Sequence, residues 1–222
     1  NDVTLNSVSN DGNKPVITVN GQNYTFDAVL YATGRKPNTA NIGLENTDIT
    51  TNERGAIVVN DTCESSVPGV YAVGDVNGGP QFTYISLDDF RIVFGALTGN
   101  SQYTLKDRKN IPYTTFLTPP LARVGLTEED AINKGYTVKT KEMLVATMPR
   151  AHVNDYLKGA FKIVVNADND LILGATLYSQ GAEELINLIK IAMDNNIPYT
   201  YFKNQIFTHP TMAENLNDLC NF

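Results

Sequence analysis

Ala160-Phe161-Lys162-Ile163-Val164-Val165-Asn166, followed by Ala167-Asp168-Asn169-Asp170 and then Leu171-Ile172-Leu173-Gly174-Ala175-Thr176-Leu177-Tyr178, is the stretch whose reading decides the fold. Two strand-length runs rich in β-branched and apolar residues flank a turn of Asp and Asn, residues whose short side chains bond their own backbone. Upstream, Lys139–Ala146 reads as another strand, and Thr127-Glu128-Glu129-Asp130 opens a short helix. Thr127 can cap that helix, the acids suit its positive end, and Gly135 closes it. Downstream, Ala182–Asn195 is amphipathic, with Leu185, Ile186, Leu188, Ile189, Ala192 and Met193 covering a broad apolar arc. Pro198 ends it, and a last helix is expected from about Pro210 to Leu219. Helix, strands, helix, helix describes a small α+β domain with an antiparallel sheet.

Ahead of residue 110 the pattern changes. Val16 and Thr18 face Tyr24 and Phe26 across Asn20-Gly21, a hairpin signal within a β-meander. Ala28–Ala32 is an apolar run that halts at Thr33-Gly34-Arg35-Lys36-Pro37-Asn38, and Gly69-Val70-Tyr71-Ala72-Val73 halts likewise at Gly74-Asp75. Each predicts a buried strand entering a loop. Ala56–Val59 predicts another short strand. Phe82 to Leu97 has helical spacing, with Ile85, Phe90, Val93, Phe94 and Leu97 apolar. The polar stretch Ser101–Asn110 places a domain boundary near residue 110.

At 222 residues, with 42% hydrophobic and 18% charged residues, the chain is long enough for a proper core and is not of disordered composition. A net charge of −7 gives no reason to expect nucleic acid or an anionic membrane as partner. No apolar run approaches the ~20 residues a membrane helix needs. No signal or transit peptide is evident, and a chain opening on Asn1 is expected to be processed, cut or a fragment. Cys63 and Cys220 fit no metal spacing, so no metal site is expected, and their sparse use points to a reducing cytoplasm.

Three constellations could carry chemistry. In Thr208-His209-Pro210-Thr211-Met212-Ala213-Glu214, proline suits a first helical turn, so His209 would precede a helix and Glu214 sit one turn inside. The carboxylate could then orient the imidazole as acid or base. Alternatively His209 simply caps the helix and Glu214 is a solvated acid. Gly74 would let a ligand approach the backbone closely and Asp75 could accept from its hydroxyls, or the two form an ordinary loop. The helix starting near Phe82 offers N–H groups to an electron-rich ligand atom. Gly34-Arg35 is either a glycine turn with a basic surface residue or an anion contact. His152 is expected on the surface, and Tyr199, Tyr201 and Phe202 as packing under the last helix. Neither a Gly-x-Gly-x-x-Gly fingerprint, a Walker loop nor Cys-x-x-Cys occurs in the chain.

Taken in order, Ala-Thr-Gly-Arg-Lys-Pro-Asn at 32–38, Gly-Val-Tyr-Ala-Val-Gly-Asp at 69–75, Thr-Pro-Pro-Leu-Ala-Arg-Val-Gly-Leu-Thr-Glu at 118–128 and His-Pro-Thr-Met-Ala-Glu at 209–214 resemble the pyridine nucleotide–disulfide oxidoreductases. That family includes glutathione reductase, dihydrolipoamide dehydrogenase and mercuric reductase. The resemblance implies α/β and α+β architecture. Residues 1–40 would end the NAD(P)-binding domain, 41–109 would be the C-terminal segment of the FAD-binding domain, and 110–222 the dimerisation domain. It implies that Asp75 holds the FAD ribityl hydroxyls and that Gly74, Phe82, Thr83, Tyr84, Gly34, Arg35 and Val124 belong to the cofactor surroundings. Thr83-Tyr84 would face the flavin pyrimidine edge, and Val124 would lie by the nicotinamide–flavin stack. His209 and Glu214 would serve the partner subunit's disulfide in a homodimer. FAD and NAD(P)H are the cofactors implied for the full-length enzyme, with none held by these residues alone, because the glycine fingerprints and redox cysteines lie elsewhere.

The implied substrate is a small disulfide or oxidised-sulfur species. Mercuric reductases carry a cysteine pair near the C-terminus, whereas Cys220 stands alone, which speaks against mercury. Gln81–Asp89 differs from lipoamide dehydrogenases and resembles a bacterial branch reducing reactive chlorine or hypothiocyanous species. Two alternatives remain: a dimerisation module without activity of its own, and part of a flavin-dependent oxidase or peroxidase. The His209–Glu214 pair, suited to a thiol that needs an external base, disfavours the oxidase. The apolar residues on more than one side of 182–195 add a physical reason to expect a two-fold interface.

Overall fold

The computed structural model describes residues 4–222; the first three residues of the expected 1–40 segment lie outside it. The chain divides into two compact units, Asn1–Gln102 and Tyr103–Phe222. Residues 103–109 thus group with the second unit, where Lys109 donates to the Asp194 carbonyl and Asn110 to its carboxylate.

In the first unit, β1 (Leu5–Asp11), β2 (Lys14–Val19) and β3 (Gln22–Thr25) form the expected antiparallel meander. Asn20 and Gly21 both have positive φ, 50° and 77°. That backbone is the type I′ turn whose twist matches the strands it joins. The meander is thin, and Val16 is its buried apolar residue.

Three expectations for this unit fail. Ala28–Ala32 is neither strand nor buried: Leu30 is 89% and Tyr31 66% exposed. Gly69–Val73 is also not a strand, since only Tyr71 bridges, to Glu64, and Val70 and Val73 are exposed. Ala56–Val59 makes isolated bridges rather than a ladder. Apolar runs become buried strands only beside a sheet, and no described strand extends alongside these. The helix is present as α1 (Thr83–Leu97), but its buried side is Ile85, Asp89 and Ile92. Phe90, Phe94 and Leu97, expected on the apolar face, are each more than half exposed.

The second unit follows its sequence closely. β4 (Tyr113–Thr115), β5 (Leu121–Gly125), β6 (Val138–Leu144), β7 (Ala160–Asn166) and β8 (Ile172–Tyr178) make one antiparallel sheet in the order β4-β5-β8-β7-β6. α2 (Glu128–Asn133) is capped by Thr127, whose hydroxyl accepts from the Asp130 N–H while the Asp130 carboxylate accepts from Thr127. Those two bonds from Thr127 hold the Asp130 carboxyl below the ordinary carboxylate range. The short α3 (Pro149–Val153) precedes β7.

α4 (Ala182–Asp194) lies on β5 and β8 and buries Leu185, Ile186 and Ile189 against Val124, Phe161, Ile163 and Leu177. Its Leu188 and Ile191 stay 39% and 56% exposed, so it is apolar outside the core as well. α5 (Tyr199–Asn204) and α6 (Asn215–Leu219) close the unit, with Tyr199 and Phe202 buried and Tyr201 half exposed. At Gly159, where φ is +125°, β7 is entered with no room for a side chain: a Cβ would lie 1.7 Å from the Tyr178 carbonyl oxygen.

Cys63 and Cys220 are both fully buried. Burial pushes the Cys220 thiol up from 9.0 to about 12, with Lys141 pulling weakly the other way. An acid whose folded pKa is raised adds stability that is complete below its unfolded pKa and fades as pH climbs toward the folded one. The denaturation midpoint should therefore fall as pH rises from 9.0 toward about 12, and Cys220 should resist alkylation in the folded chain. Reaction with iodoacetamide at the rate of an unfolded control would contradict this burial.

Candidate active site

The segment 208–214 leads into α6 but is not itself helical, contrary to the expected start at Pro210. α6 begins at Asn215 with Glu214 as its cap, and the His209–Pro210 peptide is cis. Side chains hold this backbone in a turn instead. Thr211 Oγ1 donates to the Thr208 carbonyl (2.7 Å) and accepts from the Glu214 N–H (3.2 Å). Glu214 Oε1 accepts in return from the Thr211 N–H (3.3 Å). Asn215, 2% exposed, donates from Nδ2 to the carbonyls of Thr211 and Met212, each at 3.2 Å. Such side-chain bonds compete with the helical ladder for the same backbone groups.

On this scaffold His209 Nδ1 lies 2.7 Å from Glu214 Oε2. A carboxylate can only accept, so Nδ1 donates and Nε2 is left for an external partner. The imidazole is 69% exposed and the glutamate side chain 17%. The ring is therefore presented outward while the group that orients it is held in the protein. The two residues singled out by their spacing do meet, though not by way of a helix.

The second cluster belongs to the first unit. Gly74 opens a 3-10 turn, Gly74–Asn77, with φ 71°. A Cβ there would stand 2.6 Å from Ser86 Oγ, so only glycine brings the turn this close to α1. Asp89, wholly buried on α1, fixes it: Asp89 Oδ2 accepts from the Gly74 N–H (2.7 Å) and from Asn77 Nδ2 (3.0 Å). Asp75 is consequently turned outward, its side chain 43% exposed, with one oxygen accepting from Arg35 Nη1 at 3.2 Å. Gly34, at φ 110°, precedes that arginine.

α1 starts beside this turn with no side-chain cap. The rings of Phe82 and Tyr84 stack at 5.0 Å, 9° from parallel, and burial raises the Tyr84 phenol above its ordinary value. Thr83 is exposed between them. Gly74, Asp75, Arg35, Phe82, Thr83 and Tyr84 thus gather on one unit. An outward carboxylate on a glycine turn, next to an uncapped helix start, fits the polyhydroxyl chain and electron-rich edge of a flavin nucleotide.

Val124 is different. It sits in β5 with its side chain 1% exposed in the second unit's core, so only its backbone could meet a ligand. His152 is exposed, its Nε2 2.8 Å from the Ala146 carbonyl. Asp89, Asn77, Thr211 and Asn215 support these site residues, a part that the motifs do not mark. Two signals were available: Asp89 interrupts the Ile85–Ile92 stripe, and Thr211-x-x-Glu214 has capping-box spacing. Among the described residues no group of three or more His, Cys, Asp or Glu is placed to hold a metal, and no helix is long and apolar enough to cross a membrane.

Comparison with known proteins gives the family. Residues 2–89 match the pyridine nucleotide-disulphide oxidoreductases and residues 111–220 match the dimerisation domain of the same group. The chain belongs to this family, whose members depend on FAD and NAD(P)H. It is 44% identical over 222 residues to the probable pyridine nucleotide-disulfide oxidoreductase RclA of Escherichia coli strain K12, covering 98% of this chain and 50% of that protein. Mercuric reductase of Staphylococcus aureus is 36% identical over 218 residues, covering 96% of this chain and 40% of the other. The solved structure of the HOCl-induced flavoprotein disulfide reductase RclA from Escherichia coli superposes with a TM-score of 0.92 at 43% identity, over 98% of this chain and 50% of that one. The chain therefore spans about half the length or less of the curated relatives it matches.

Proposed function

We propose that this chain supplies an FAD-dependent NAD(P)H:disulfide oxidoreductase with its dimer interface, part of its FAD site, and the acid/base pair for a redox disulfide on the partner subunit. The observation that carries this reading is the His209–Glu214 pair: an imidazole 69% exposed and oriented by a carboxylate 2.7 Å away, in a chain whose own two cysteines are fully buried. A base so presented has its sulfur elsewhere.

His209 Nε2 takes the proton of the partner's thiol as that sulfur attacks the substrate's S–S bond. The bond breaks, and the same nitrogen returns the proton to the departing sulfur. Asp75 would hold the hydroxyls of a bound flavin's ribityl chain, and the start of α1 at Thr83-Tyr84 would offer its N–H groups to the electron-rich part of the ring. Bound FAD supplies the two-electron link between pyridine nucleotide and disulfide. Residues 1–40, 41–109 and 110–222 contribute to the NAD(P)-binding, FAD-binding and dimerisation domains in turn. Similarity to RclA favours a small oxidised-sulfur substrate over mercury, and two buried thiols suit a reducing compartment such as the cytoplasm.

Two measurements on the purified chain test the division of labour. Sedimentation should give a dimer at micromolar concentration, because Leu188 and Ile191 lie exposed on α4; a clean monomer would count against the interface. Absorbance near 450 nm (roughly, for oxidised flavin) should be missing, since the pyrophosphate needs a glycine-rich loop that this sequence lacks. Stoichiometric FAD in the purified chain would refute that assignment.

A further inference from the structure

We infer that Thr211 is a positioning residue for the acid/base pair: its hydroxyl and N–H hold Glu214 where it selects the Nδ1–H form of His209. This deepens the function proposed above and rests on the His209–Glu214 pair being the working base.

The geometry is reciprocal. Thr211 reaches Glu214 through two of its polar groups, the hydroxyl accepting from the Glu214 N–H and the N–H donating to Oε1. Glu214 has two carboxylate oxygens, and Thr211 takes one of them while His209 takes the other. The carboxylate is thereby fixed in plane and azimuth, since a group held at both oxygens cannot rotate about its last bond without breaking one contact. The Thr211 hydroxyl proton goes to the Thr208 carbonyl, so the residue just before His209 is tied to the same clamp. Buried Asn215 bonds the Thr211 carbonyl and fixes the clamp to α6.

An imidazole that is not held prefers no single neutral tautomer strongly, whereas a working base here needs its proton on Nδ1 and its lone pair on Nε2. Thr211 acts on that choice through Glu214 and through the Thr208 carbonyl, and so it positions without touching the reacting sulfur.

The chain contains two histidines, His152 and His209, which makes the tautomer directly readable. Ring-nitrogen NMR of the uniformly labelled full chain, at a pH where the imidazole is neutral, should show His209 mainly as the Nδ1–H form. Thr211→Val keeps the shape and the N–H but removes the hydroxyl. It should lower the Nδ1–H to Nε2–H ratio of His209 by roughly two- to tenfold, the size of one lost hydrogen bond, and leave His152 unchanged. Thr211→Ser should restore the ratio. A global loss of structure would move both histidines, and in that case the Thr211→Ser against Thr211→Ala comparison decides, the latter being the smaller perturbation. A wild-type ratio in both Thr211→Val and Thr211→Ala while Glu214→Ala shifts it would overturn the role of Thr211 alone. A wild-type ratio in Glu214→Ala as well would overturn the pair itself.

Discussion

Alanine in place of His209 should slow thiol–disulfide exchange with substrate by about 10²- to 10⁴-fold in the flavin-loaded dimer, while reduction of the flavin by NAD(P)H stays nearly at its normal rate. The loss corresponds to about 3–5 kcal/mol of barrier. On the proposed role the loss should be confined to one half-reaction, because an imidazole presented on the surface of the second unit would act through proton transfer at sulfur and not through the cofactor. Stopped-flow absorbance separates the two phases. Equal slowing of both would mean that His209 serves the fold or the flavin and that its assignment as the base is wrong. Mixed dimers sharpen the result: a subunit lacking its redox cysteines paired with one lacking His209 should retain one intact centre or none, depending on whether base and sulfur come from different chains.

Gly159→Ala should be the most damaging small substitution in the second unit. The new Cβ would meet the Tyr178 carbonyl oxygen at 1.7 Å, and behind it the Val145 side chain at 3.2 Å. The obstacle is backbone in the central strand β8, which cannot step aside without breaking its pairing with β7. The φ of +125° adds a conformation that alanine rarely adopts. A cost of about 4 kcal/mol or more is expected, enough to unfold a domain of ordinary stability. Gly135→Ala is the matched control: its φ is +85°, but nothing stands within 4 Å of the added methyl. There only backbone strain of about 1–2 kcal/mol should appear. Urea denaturation of the two variants compares them directly, and similar midpoints would show that β8 yields more easily than its packing suggests.

The second unit was legible because its signals are local. The Asp168-Asn169-Asp170 turn, the run Ala160–Asn166 and the capping pair Thr127 and Asp130 each specify structure within a few residues, and the folded chain keeps them. The first unit was less so. Leu30 and Tyr31 have the composition of a buried strand, but burial depends on neighbours, and the described residues leave them 89% and 66% exposed. Asp75 was visible as an acid after a glycine. Its partner Arg35, forty positions earlier, and the buried Asp89 that sets its turn come from contacts remote in sequence. At the candidate site, proline after His209 suggested a helix start. The outcome turned on Thr211 and Asn215, whose side chains claim the backbone groups a helix would have used.

The sheet of the second unit has two unlike margins. β4, at one end, is only three residues long, and β6, at the other, carries Lys139, Lys141 and Glu142. Lys139 pairs with Asp170, and Lys141 donates to the Asn221 carbonyl. A short margin gives an incoming chain little ladder to extend, and a charged one makes it lose hydration for each bond gained. Two copies of this unit would therefore gain little by joining backbone to backbone at these margins. An association of two such units would then rest on side chains, which favours a closed pair over an open, fibre-like stack.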